Sequence, residues 1–172
     1  LATLTVINTA DSGTGSLRQA ILDANSNAEA DIINFNIPTD DPGFVTSAGT
    51  DCDSSNDGPD VSPCWWRITP STALPTLMEN GTEIRGSTQP GNTNPGVVGT
   101  GATVGVDAIA LPQYQRPEVA IQANNFVGIS VAGSASGILI EGLAIYDASS
   151  AVFVSMVAPS AMAASKSPVM PI

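Results

Sequence analysis

Residues 11–25 read DSGTGSLRQAILDAN, and the way this stretch is taken decides the fold. Gly13 and Gly15 ahead of a helix-like run outline a phosphate loop of a nucleotide-binding domain. The detail departs from that outline. A P-loop needs G-x-x-x-x-G-K-[ST], and the stretch contains no Lys. The dinucleotide fingerprint G-x-G-x-x-G fails as well, because Arg18 stands where the third glycine belongs. What remains is a glycine-built turn, Ser16 as an N-cap, and a short helix with Leu17, Ala20, Ile21 and Ala24 on one face.

Both flanks are strand-like. ATLTVINT (2–9) alternates and is β-branched. DIINFNI (31–37) sends Ile33, Phe35 and Ile37 to one side and Ile32, Asn34 and Asn36 to the other, and Pro38 ends it. After a polar excursion at 39–64, strand signals return at 65–70, 73–77, 82–86, 106–111, 117–123, 127–133, 137–147 and 151–155. No segment of the second half is long and amphipathic enough for crossover helices, which disfavours a βαβ fold. GISV at 128–131 recurs in kind as AVFV at 151–154, a step of 23 residues, and GTEI (81–84) and GVDAI (105–109) are about 24 apart. Short strands repeating at twenty-odd residues are the mark of a solenoid, with a β-sandwich as the alternative.

Composition sets the outer bounds. A chain of 172 residues with 42% hydrophobic and 12% charged residues can bury the core of one domain. Sixteen glycines and 13 prolines favour turn-rich β structure. The net charge of −11 repels phosphate backbones, so nucleic acid is not an expected partner. There is no His, so any chemistry rests on carboxylates, hydroxyls, a few Arg and Lys166. No apolar run reaches the ~20 residues needed to span a bilayer. The opening LATLTVINTA is what a processed, secreted protein would present.

The stretch NTADSGTGSLRQAILDANSNAEADIINFNIP, with LPTLMENGTEIRGSTQPG (74–91) and GILIEGLAI (137–145), resembles bacterial surface and secreted proteins with right-handed parallel β-helix repeats and a CSLREAI-type opening. Here the motif reads Gly15-Ser-Leu-Arg-Gln-Ala-Ile21. The resemblance spans roughly residues 3–155. It implies an all-β, right-handed parallel β-helix with a strand–helix cap at 1–38, an inserted acidic loop at 39–64, coils at 65–155 and an irregular apolar tail at 156–172. In the cap, Leu17, Ile21 and Ala24 would lie on the first coil, and Arg18 would bond carbonyls or pair with Asp11 or Asp23. The tail departs from the family's coil pattern. It is expected to fold back over the last coil or to dock on another subunit.

Candidate sites are few. Cys52 and Cys64 lie twelve apart without a CxxC pair or His, which favours a disulfide over zinc or free thiols. Such a bridge would contribute about 2–3 kcal/mol. Within the loop, Asp53, Ser55 and Asp57 before Gly58 alternate as calcium ligands do, with Asp51 and Asp60 as further carboxylates; Cys64 stands where a bidentate Glu is expected. A solvated acidic loop is the plainer reading. Trp65 and Trp66 would face opposite ways on a strand, one buried and one free to stack on a sugar. Asn80-Gly81-Thr82 is a glycosylation tripeptide. Asp107, Arg116, Glu118, Glu141 and Asp147 are the groups available to a polysaccharide lyase or hydrolase, but none recurs at coil spacing with a suitable partner.

These readings predict an extracellular or cell-surface structural protein that is not an enzyme and needs no cofactor beyond optional calcium. Its expected partner is itself, packed end to end in a fibre, with glycans as the alternative. If residues 51–60 hold calcium, millimolar calcium raises the melting temperature and EDTA lowers it. An unchanged melting curve under both removes the calcium reading.

Overall fold

The computed structural model describes residues 1–46, 64–90 and 117–149, together with four two-residue strands between 97 and 115. The chain opens with strand β1 (Thr3–Val6), helix α1 (Leu17–Ala24) and strand β2 (Ile32–Phe35). Then come β3 (Phe44–Val45), β4 (Trp65–Ile68), β5 (Glu83–Arg85) and a 3-10 turn at Gly86–Thr88. Short strands β6 (Val97–Val98), β7 (Thr103–Val104), β8 (Ile109–Ala110) and β9 (Tyr114–Gln115) precede β10 (Val119–Gln122), β11 (Leu139–Glu141) and β12 (Leu143–Tyr146).

The strands form two four-stranded sheets, ordered β1-β2-β5-β11 and β3-β4-β10-β12, with β6-β9 and β7-β8 as separate antiparallel pairs. Every pairing within the two large sheets is parallel except β3 with β4. The all-β right-handed parallel β-helix expected above is therefore corrected to a mixed α/β fold. Its first unit is β-α-β: α1 joins the parallel neighbours β1 and β2, and buries Leu17, Ala20, Ile21 and Ala24 in the same core as the strands.

The expected coil period fails too. In the first sheet Leu4 pairs with Ile33, Ile33 with Ile84 and Ile84 with Ile140, steps of 29, 51 and 56 residues. Glu83 and Ile84 pair with β2 on one side and β11 on the other, and Ile109–Ala110 pairs with Thr103–Val104. The segments at 73–77 and 127–133 supply only an isolated bridge, Leu77 to Val131. The physical reason is that register is set by aligned inward side chains, and connections of very different length can deliver them. The strand expected at 151–155 and the tail at 156–172 lie outside the described residues.

The core is built from facing rows. Ile33 and Ile84 of the first sheet are fully buried, as are Val119 and Ile121 of the second, while Trp66 and Ile68 are each 1% exposed. Burial of such a side chain contributes roughly 1.5–3 kcal/mol. Trp66 also donates its indole N–H to the Pro38 carbonyl at 2.9 Å and packs on the Phe44 ring at 4.8 Å between centroids. Where the backbone ladder stops, side-chain amides continue it. Gln89, 5% exposed, accepts from Ile37 N at 2.9 Å and donates to Ile37 O at 2.8 Å. Asn25 likewise donates to Thr76 O and accepts from Met78 N.

At the corner between β11 and β12 the chain leaves one sheet and enters the other across Gly142 alone. Its φ is +64°, and a Cβ there would overlap the Ser87 backbone. This corner joins the last strands of both sheets at one end of the molecule.

Trp66→Ala removes the largest buried side chain, its hydrogen bond and its ring contact. We expect a loss of about 3–5 kcal/mol in chemical denaturation. Trp65→Ala, on the half-buried neighbour, should cost far less.

Candidate functional site

The two ends of the sheets differ. At the front, α1 packs against the edge strand β1 and is fixed by Arg18. The turn before α1 forms because Gly13 and Gly15 take φ of +92° and +78°, and Ser16 then caps the helix by accepting from Gln19 N at 3.2 Å. Arg18 donates through Nε to Asp11 O at 2.9 Å, through Nη2 to Asp11 Oδ1 and Thr72 O at 2.8 Å, and through Nη1 to Ala73 O at 2.8 Å. Asp11 in turn accepts from Ser71 N at 3.1 Å and Ser71 Oγ at 2.5 Å. The glycine turn, the helix and the chain leaving β4 are thus locked by one guanidinium and one carboxylate. A cleft of about 210 Å³ between β1 and α1, lined by Leu4, Thr5, Ile7, Gln19 and Asp23 among others, is below the size usual for small-molecule sites.

The Ser71 hydroxyl, then the Arg18 guanidinium, hold the Asp11 carboxyl below its ordinary value. A depressed folded-state value means that the stabilisation is complete above the unfolded carboxylate value, about 3.9, and is lost as pH falls through the lower folded value.

Among the described residues the back end is open. β11 and β12 are the last strands of their sheets, and among the described residues nothing pairs beyond them. Burial falls off there in every inward row. Ile140 follows Ile33 and Ile84, Leu143 follows Trp66 and Val119, and Ile145 follows Ile68 and Ile121, and each of these last members is only partly buried. Ile138 is partly buried as well, while Leu139 is 40% and Tyr146 37% exposed. Residues 138–146 carry a single charge, Glu141, which accepts from Ser87 Oγ at 3.3 Å.

The sites read from the sequence are placed as follows. Asp51, Cys52, Asp53, Ser55, Asp57 and Asp60 lie outside the described residues, as do Asp107 and Arg116. Cys64 is fully buried, and no free cysteine occurs among the described residues. No group of three or more His, Cys, Asp or Glu able to hold a metal occurs among them either. Trp66 is the buried member of its pair, so it offers no sugar platform; Trp65 is half-buried. Glu141 and Asp147 bond to Ser87 and Gln122 respectively. Arg18 pairs with Asp11, not Asp23, which accepts from Gln19.

Asn80 is exposed, and its Oδ1 accepts from Ser136 N at 2.8 Å and Ser136 Oγ at 2.9 Å. Thr82, 1% exposed, has an Oγ1 with no hydrogen-bond partner. Leaving a buried hydroxyl unpaired costs about 1–3 kcal/mol. Ser71, Ser136 and Gly142 were not legible as contact residues from the sequence. Only Gly142 carried a signal, a glycine inside an apolar run, which marks a bend.

Asp11→Asn should remove Asp11's own share of the acid destabilisation below about pH 4, so that melting temperature falls less steeply with pH there. Arg18→Lys keeps the charge but not the planar fork, and should still lose about 2 kcal/mol. Comparison with protein-family models, with characterised proteins and with solved structures finds no match to this chain.

Proposed function

We propose that the chain is an extracellular or cell-surface structural protein that self-associates through the end formed by β11 and β12. The observation that carries this reading is the loss of burial at the last member of every inward row in both sheets. Two adjacent strand edges, flanked by half-covered Ile138, Ile140, Leu143 and Ile145, offer unpaired backbone groups and apolar surface together. A second copy supplies both. The resemblance of the opening stretch to bacterial surface proteins supports the compartment. No helix among the described residues is long and apolar enough to cross a membrane.

The covered front favours pairing of back with back over end-to-end growth. A head-to-tail fibre needs an acceptor edge at the front, where α1 packs on β1 and the second sheet ends in the two-residue strand β3. One open patch meeting its own copy gives a closed, two-fold pair.

Sedimentation velocity over a concentration series tests the proposal. The chain should run as a dimer whose dissociation weakens as salt is raised from about 0.01 to 0.15 M, because each copy carries −11 and screening shortens their repulsion. Leu139→Lys with Tyr146→Lys, both exposed positions, should leave the fold intact and weaken association at least tenfold, about 1.4 kcal/mol. A monomer at every concentration overturns the proposal.

A further inference from the structure

We infer that Asn80 is an acceptor for an N-linked oligosaccharide, and that it is modified before the chain folds. Thr82 carries the inference. Its side chain is buried to 1% exposure and its Oγ1 meets no partner. The folded protein makes no use of that hydroxyl. Valine has nearly the same shape and would fill the site without a desolvated polar atom, so the fold alone favours Val at this position. The hydroxyl has a use in the unfolded chain, as the third member of Asn80-Gly81-Thr82, where Ser or Thr two residues after Asn is what the glycosylating enzyme recognises.

The geometry at Asn80 provides the second, independent observation. Ser136 N can only donate, so the Asn80 atom facing it is the carbonyl oxygen. That assignment leaves Nδ2, the atom to which sugar is joined, without a protein partner on an exposed side chain. A glycosylated Asn80 keeps its carbonyl oxygen, so both bonds from Ser136 survive modification. Enzymatic access, by contrast, is closed after folding. Thr82 is buried, and Gly81 is held at φ +72° with its N–H donated to Ser136 O at 2.8 Å. Modification therefore precedes the docking of 80–82 onto the segment around Ser136.

In the transfer, Nδ2 forms a bond to C1 of the first sugar of a lipid-diphosphate-linked oligosaccharide. The C1–O bond breaks, the lipid diphosphate leaves with the bonding pair, and Nδ2 gives up one proton to a base of the transferase. The inference does not rest on self-association, and either can fail alone.

The test is peptide mapping by mass spectrometry of the full chain secreted from a eukaryotic cell line, before and after peptide N-glycosidase. Wild type and Thr82→Ser should carry a glycan at Asn80, and Asn80→Gln and Thr82→Val should carry none. An unmodified Asn80 in the secreted wild type overturns the inference. Thr82→Val should also melt about 2–4 °C above unglycosylated wild type made under transferase inhibition. A lower melting temperature would show that the hydroxyl serves the fold, and overturns the argument from Thr82. Purified deglycosylated Asn80→Asp material cannot report on timing, so the folded, unglycosylated wild type made under transferase inhibition is offered transferase and donor. No transfer before denaturation supports the stated order, and transfer to the folded chain overturns it.

Discussion

The structure depends on parallel register between inward-facing β-branched and aromatic side chains. Ile33 and Ile84 align across the first sheet, while Trp66 with Val119 and Ile68 with Ile121 align across the second. Because side chains alternate, a slip of one residue on any strand would turn its apolar set outward. Burial therefore specifies the register, and the register fixes where every connection must begin and end. The strands of the two large sheets, all of two to four residues, are adequate only because each delivers one or two apolar side chains to the same core.

Local elements were legible wherever one face alone is buried. The alternation of 31–37 puts Ile33, Phe35 and Ile37 inside, and the spacing of Leu17, Ala20, Ile21 and Ala24 makes the helix face. Ser16 as a cap follows from the same local chemistry. The global arrangement was not legible, because similarity between segments measures composition, whereas pairing measures alignment in space. The apparent 24-residue step between GTEI and GVDAI links Ile84, paired with Ile33 and Ile140, to Ile109, paired with Val104. The absence of long amphipathic segments from the second half does not bear on the first, where the short helix α1 joins parallel neighbours.

The contacts that hold the connections were hidden for a different reason. Arg18 reaches Thr72 and Ala73, Gln89 reaches Ile37, Asn25 reaches Thr76, and Asn80 reaches Ser136, all more than fifty residues away in sequence. Each is a polar side chain bonded to backbone, a partner that leaves no trace in residue type. A backbone carbonyl in a connection has no ladder to satisfy it, and burial without a partner is costly. Asn, Gln and Arg at such places substitute for the missing strand neighbour. The sequence marks them only as polar residues near glycines and prolines.

The same accounting explains why the two ends differ. Natural sheets guard their edges with short strands, charges, prolines or a covering element. The front uses two of these devices, a helix laid against β1 and a two-residue strand β3. At the back, the edge strands are among the longer ones, lie side by side across Gly142, and carry Glu141 as their sole charge. One carboxylate, held toward Ser87 on the first sheet, leaves the β12 edge from Leu143 to Tyr146 without any charged guard. Among the described residues the two ends thus differ in how their edges are covered, and the proposed self-association rests on that difference. On that proposal, the position of Glu141 makes β12, rather than β11, the strand on which contact should centre.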